Sequence, residues 1–167
     1  TLAGLAGAYG SADGTGNAAR FSGPTGVALD GSGTVYVADQ YNHTIRKVTS
    51  SGVVTTFAGL AGNSGSSDGT GNAARFSYPR GVAVDGSGNL YVADSDNHTI
   101  RKVTASGVVS TLAGLAGNSG STDGTGSGAR FNNPIGVTVD GSGNVYVADH
   151  DNYTIRKVTS SGVVTTL

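Results

Sequence analysis

The sequence predicts an all-β protein and, within that class, a β-propeller with three four-stranded blades per chain. Three observations carry the prediction. The chain repeats with a period of 55 residues, each repeat reads as four short strands, and the strands are apolar on both faces. Arg20, Arg75 and Arg130 mark the period, as do Pro24, Pro79 and Pro134, and Asp39, Asp94 and Asp149. The first two units agree at 42 of 55 positions, and Thr166-Leu167 repeats the opening Thr1-Leu2, so the chain begins and ends at one phase. Repetition on this scale decides the architecture before any local motif is weighed.

In the first unit "GVALD" (26–30) turns through "GSG" into "TVYVAD" (34–39). "QYNH" then leads to "TIRKVT" (44–49), and "SSG" to "VVTTFAG" (53–59). These are β-branched and aromatic runs bounded by Gly, Ser, Asn and Asp, the pattern of successive hairpin strands. Runs such as "VYVA" do not alternate strictly, which predicts a sheet covered on both sides. A four-stranded meander joined by long connectors suits radial stacking better than a solenoid. The expected layout is one repeat domain, 1–167, with blade units near 1–55, 56–110 and 111–167. Their sheets are expected near 25–58, 80–113 and 135–167.

Composition removes several functions. Only 13% of residues are charged and the net charge is −1, which provides no electrostatic footprint for nucleic acid or an anionic membrane. The absence of Cys excludes disulfides and thiolate metal sites. No apolar run approaches the roughly 20 residues of a membrane-spanning helix. The chain opens at Thr1 inside the repeat pattern, as expected of a mature or excised segment. Gly14, Gly16 and Ala19 have the spacing of a dinucleotide-binding turn, but no buried strand precedes them, Pro24 follows too soon for a helix, and the motif recurs at 68–76 and 123–131. It belongs to the repeat.

The stretches "PTGVALDGSGTVYVADQYNHTIRKV" (24–48), "PRGVAVDGSGNLYVADSDNHTIRKV" (79–103) and "PIGVTVDGSGNVYVADHDNYTIRKV" (134–158) resemble the blades of NHL-repeat β-propellers. With the "ARF" connector, common in bacterial members, the resemblance covers nearly the whole chain. Tyr153 departs from it, standing where the motif has His. The resemblance implies a wheel of about six blades, and propellers in general close with about 4 to 8. Three open blades would leave two apolar faces wet, more than a soluble monomer tolerates. A twofold dimer covers both, so the expected partner is a second copy of this chain.

The family topology implies that loops leading into the first strand share a rim with those between the second and third strands. The three units differ there. Positions 23, 78 and 133 are Gly, Tyr and Asn; 25, 80 and 135 are Thr, Arg and Ile. Positions 40, 95 and 150 are Gln, Ser and His; 41, 96 and 151 are Tyr, Asp and Asp. The opposite turns, "DGSG" at 30–33, 85–88 and 140–143, are identical. A protein or small-molecule ligand is therefore expected at Gln40, Tyr41, His43, Tyr78, Arg80, Asp96, His98, His150, Asp151 and Tyr153. Free drift of exposed loops is the rival explanation, although it predicts variation on both rims.

The invariant polar residues have structural roles to fill. Asp39, Asp94 and Asp149, with Asn42, Asn97 and Asn152, are expected to bond turn amides. Arg46, Arg101 and Arg156 are expected to pair with an Asp of a neighbouring blade, and Phe21, Phe76 and Phe131 to plug the seams.

Propellers of this general kind include metal-dependent lyases and lactone hydrolases working at the central channel. Here His43 and His98 are equivalent motif residues a blade apart, too far for one metal at about 2 Å ligand distances. Only His150 is off-motif, and there is no Glu. The "SSDGTGN" connectors lack the spaced carboxylates and closing Glu of a calcium loop. The reading is a non-catalytic scaffold with no metal, no cofactor, no nucleic acid and no membrane partner. Two alternatives stand beside it: a metal-dependent hydrolase or lyase, and an engineered or excised repeat fragment without a ligand of its own. A thiol-free surface rich in Gly, Ser and Thr is compatible with an extracytoplasmic bacterial origin.

Overall fold

The computed structural model describes all 167 residues and has no cis peptide bond. Blade 1 comprises β1 (Gly14–Thr15), β2 (Pro24–Leu29), β3 (Val35–Asp39), β4 (Thr44–Val48) and β5 (Val53–Ala58). Blade 2 comprises β6 (Gly69–Thr70), β7 (Pro79–Val84), β8 (Leu90–Asp94), β9 (Thr99–Val103) and β10 (Val108–Ala113). Blade 3 comprises β11 (Gly124–Thr125), β12 (Pro134–Val139), β13 (Val145–Asp149), β14 (Thr154–Val158) and β15 (Val163–Thr166). Every sheet is antiparallel, with blade 1 ordered β1-β5-β4-β3-β2 and the others likewise. No helix is long and apolar enough to cross a membrane.

The expected four-stranded blade is corrected to five strands. The extra strand comes from the connector, where Gly14 and Thr15 pair with Val54 and Val53 on the outer edge of their own sheet. Two residues cannot display a period of two, so the "DGTG" stretch carries no strand signature. It pairs because Arg46 ties it down. The Arg46 guanidinium donates to Asp39 Oδ2 at 2.9 Å and to Asp13 Oδ1, one residue before β1, at 2.7 Å. It also donates to the carbonyls of Arg20 and Ala12 and lies 5.3 Å from the centre of the Phe21 ring. Arg101 and Arg156 repeat the clamp on Asp94 with Asp68 and on Asp149 with Asp123. The expected pairing with an Asp of a neighbouring blade is thereby corrected: both carboxylates belong to the arginine's own unit.

Blades meet through their sheet faces. One core cluster joins Ala38, Ile45 and Ala58 of blade 1 to Phe76, Val82, Leu90 and Val92 of unit 2, and a second joins Tyr91, Ile100 and Ala113 to Phe131, Val145 and Val147. Phe76 and Phe131 are fully buried and plug the two seams as expected. The inner strands β2, β7 and β12 approach so closely that only glycine fits between them. A Cβ on Gly26 would stand 2.3 Å from the Arg80 carbonyl oxygen, and one on Gly81 2.3 Å from that of Ile135. Gly136, with no blade after it, has nothing nearer than the Ala148 Cβ at 3.5 Å.

Candidate functional site

After β3 the chain makes a 3-10 turn, Gln40–Asn42, closed by His43 in the left-handed region at φ 58°. Asp39 organises it from below. One carboxylate oxygen accepts the Ser22 N–H at 2.7 Å, and the other accepts Asn42 Nδ2 at 2.7 Å and Arg46. The Tyr41 N–H then bonds the Ser22 carbonyl at 3.0 Å. These contacts hold the loop leading into β2 and the turn after β3 on one rim. Blades 2 and 3 repeat them through Ser77 with Asp94 and Asn132 with Asp149.

Two of the three histidines are bound into the seams. His43 Nδ1 accepts the Tyr78 N–H at 3.2 Å and its ring meets Tyr78 edge-on at 4.7 Å; His98 Nδ1 accepts the Asn133 N–H at 3.0 Å. Each Nδ1 accepts through its lone pair. Burial pushes His43 below its usual range, with the Asp96 carboxylate opposing weakly. Ser95, at the position of Gln40 and His150, is buried and donates to the Pro134 carbonyl at 2.6 Å.

The other rim residues divide by exposure. Tyr41 and Asp96 are exposed, with Tyr41 6.0 Å from the Tyr78 ring. Gln40 is buried. His150 and Asp151 bond each other at 2.5 Å on the open side of blade 3, and the imidazole holds the Asp151 carboxyl below the usual carboxylate range. Tyr153, at the place of His43 and His98, is 93% exposed, with no blade of these 167 residues packed over it.

Inside the rim the inner strands line a half-channel of about 500 Å³, walled by Thr25–Val27, Arg80–Val82, Ile135–Val137 and Ala148. Arg80 is its only charged side chain, and the guanidinium makes no hydrogen bond or ion pair within the chain. Arg46, Arg101 and Arg156, in contrast, spend both terminal nitrogens on carboxylates and carbonyls, while the Nε of each is buried without a partner. Sequence reasoning named Arg80 from its variability but missed Thr25, whose hydroxyl donates to the Arg80 carbonyl at 2.9 Å, and the glycines of the channel wall. No three His, Cys, Asp or Glu side chains stand close enough to share a metal ion.

Five-stranded antiparallel sheets stacked face to face around inner strands are the blades of a β-propeller. The family model "NHL repeat" matches residues 21–48, 76–103 and 131–158, half of the chain, and the protein belongs to the NHL-repeat family. Among curated relatives, NHL repeat-containing protein 2 of Bos taurus is 34% identical over 83% of this chain and 21% of its own length. The chain spans between 9% and 37% of the length of the curated relatives it matches. Among solved structures, an auxiliary nutrient binding protein from Bacteroides thetaiotaomicron superposes with a TM-score of 0.72 at 26% identity, covering 84% of this chain and 36% of that one. A gluconolactonase from Xanthomonas campestris is similar in fold alone, with a TM-score of 0.62 at 15% identity over 88% of this chain and 48% of the other.

Proposed function

We propose that the protein is a non-catalytic binding scaffold: two copies close a six-bladed ring, and the ligand sits on the variable rim at the mouth of the channel. The observation that carries this reading is the contrast among the arginines. Three are consumed in clamping their own blades, while Arg80 lines the channel with no hydrogen bond or ion pair, near enough to the Asp151 carboxylate only to act on it through its charge. A guanidinium so placed favours a small anion, a carboxylate or phosphate, beside the apolar Ile135. The likeness to a nutrient-binding protein supports a soluble ligand and an extracytoplasmic bacterial setting.

Ring closure rests on the two outer faces. Val27 is 68% exposed and Leu29 64% on one side, and Ile155 is 51% exposed on the other. A second copy covers both at once. If the chain is a piece of a longer repeat array, further blades of that array take the same place.

Calorimetric titration with inorganic phosphate and small carboxylates tests the ligand reading. Binding is expected to weaken about tenfold or more in Arg80→Ala, since an anion loses its charge-assisted partner. The rival reading, suggested by fold likeness to a gluconolactonase, is a metal-dependent hydrolase or lyase. Lactone turnover that appears with zinc or calcium and disappears with chelator would replace the scaffold reading.

A further inference from the structure

We infer that the two copies recognise one another through an exchange of side-chain size at the rim: Tyr153 of one copy packs on the flat loop that Gly23 and the Tyr41 ring form on the other. This rests on the ring closure proposed above and names the residues that make it selective.

The chain shows the same seam twice. In the first, His43 of the leading blade receives Tyr78 of the next, N–H to Nδ1 at 3.2 Å and ring against ring at 4.7 Å. In the second, His98 receives Asn133, N–H to Nδ1 at 3.0 Å. Both times an imidazole on the trailing face accepts a backbone N–H from the approaching loop, and in the first seam it also packs against the Tyr78 ring. The two outer faces carry the third such pair, with the sizes reversed: Tyr153 replaces the imidazole and Gly23 has no side chain. The interior seams admit a Tyr or an Asn opposite the same imidazole; at the outer faces a larger phenol stands opposite a loop without a projecting side chain, and a side chain added there would crowd it.

Neither residue has a reason for its identity inside the chain that also explains the other. Tyr153 is 93% exposed, where His43 is 9% exposed, and it contacts no following blade. Gly23 adopts φ 59°, but Tyr78 and Asn133 hold φ 49° and 52° at the same place, so the backbone there does not demand glycine. The Tyr41 ring does lie against Gly23, 2.6 Å from where a Cβ would be, and Tyr41 is the residue that becomes Asp96 and Asp151 in the other units. The leading loop of blade 1 is thus remodelled as a unit, Gly23 with Tyr41, and presents a flat aromatic platform in place of a projecting side chain.

The occupant is a second copy because each outer face is half of a seam whose other half the same chain carries. Phe21, Val27 and Pro24 of the leading face correspond to Phe76, Val82 and Pro79, which the preceding blade buries; Ile155 and Ala148 of the trailing face correspond to Ile100 and Ala93, which the following blade buries. Gly136 keeps open the gap that Gly26 and Gly81 use to admit a neighbouring carbonyl. The exchange gives up one hydrogen bond, since Tyr153 cannot accept the Gly23 N–H as an imidazole would. It replaces that bond with aromatic contact and turns away any blade whose leading loop carries a projecting side chain.

The test is sedimentation equilibrium on four forms of the 167-residue chain. Wild type is expected to be a dimer at micromolar concentration. Gly23→Tyr with Tyr41→Asp, which rebuilds the leading loop of blade 2, is expected to weaken the dimer about tenfold or more by overpacking against Tyr153. Adding Tyr153→His, which rebuilds the His43–Tyr78 seam, is expected to restore it. Tyr153→Ala, at a position without contacts in the single chain, weakens the dimer with an unchanged far-UV spectrum, which keeps the inference testable if the loop variants fold poorly. A wild-type monomer overturns the ring and this inference together, as does a trimer or an open polymer. A wild-type dimer indifferent to Tyr153→Ala and to the loop exchange leaves the ring standing and overturns the size exchange alone.

Discussion

Val27 and Val82 occupy the same place in successive blades of nearly the same sequence, yet Val82 is 6% exposed and Val27 68%. On the other side Ile100 is fully buried and Ile155 51% exposed. Blade 2 is covered twice, whereas blades 1 and 3 are covered once each. The difference teaches that a blade does not contain its own core. Its apolar faces are complete only against a neighbour, so most of the stability of this fold resides in seams and very little in any single sheet.

The largest effect that could break this comparison is a cavity in a seam. Phe76 lies fully buried between blades 1 and 2, and its equivalent Phe21 lies half-buried on the leading face. Phe76→Ala is expected to cost about 3–5 kcal/mol in chemical denaturation, the range for emptying a packed aromatic site. Phe21→Ala, measured at concentrations low enough to dissociate any dimer, is expected to cost about half as much or less, in proportion to its burial. Equal losses would show that blade 1 is packed as tightly as blade 2.

Next in size come the inner-strand glycines. Gly81→Ala drives a methyl into the Ile135 carbonyl and is expected to destabilise the monomer by about 1–3 kcal/mol. Gly136→Ala meets only ordinary contact with Ala148 and is expected to leave the monomer within about 0.5 kcal/mol of wild type. The same change closes the gap a second copy needs, so light scattering is expected to show loss of the dimer. A Gly136→Ala protein that is both stable and dimeric would show that the outer faces do not meet as the interior seams do.

How far this was legible in the sequence follows from what each residue must display. Arg20, Pro24, Asp39 and their equivalents announced the period, and hairpin runs such as "TVYVAD" announced four strands per blade, because both signals are patterns over several residues. The fifth strand was not legible: Gly14–Thr15 is held by Arg46 reaching Asp13 across 33 residues of sequence, and a contact of that range leaves no local trace. The same arginine misled the expectation of pairing between blades. At the rim, variability pointed to Arg80 and Tyr78. It could not distinguish His43, which serves as an acceptor for a neighbouring amide, from a group free to bind a ligand. Gly23 was recorded as one member of a variable position, because an absent side chain carries no chemistry to read.

The smallest expected effect compares the interior seams with the proposed closing seam through pH. His43 is held below its usual value of 6.5 by burial. In the window below 6.5, therefore, the unfolded chain takes up a proton that the folded chain refuses, and this group's contribution to stability declines as pH falls through that window. Protonation also removes the lone pair that accepts the Tyr78 N–H. Asp94 works in the opposite sense. Burial pushes its carboxyl up to about 6, so it protonates in the folded state first, and its contribution increases as pH falls from that value toward 3.8. Global unfolding mixes the two, but individual amides separate them: Tyr78 reports His43, while Ser77, whose N–H bonds Asp94 Oδ1 at 2.7 Å, reports Asp94. Hydrogen-exchange protection at Tyr78 is expected to decline a few-fold between about pH 7 and pH 5, and to lose that dependence in His43→Gln. The proposed closing seam has Tyr153 where the interior seam has the imidazole of His43, so acid is expected to loosen the interior of each chain before it parts the copies.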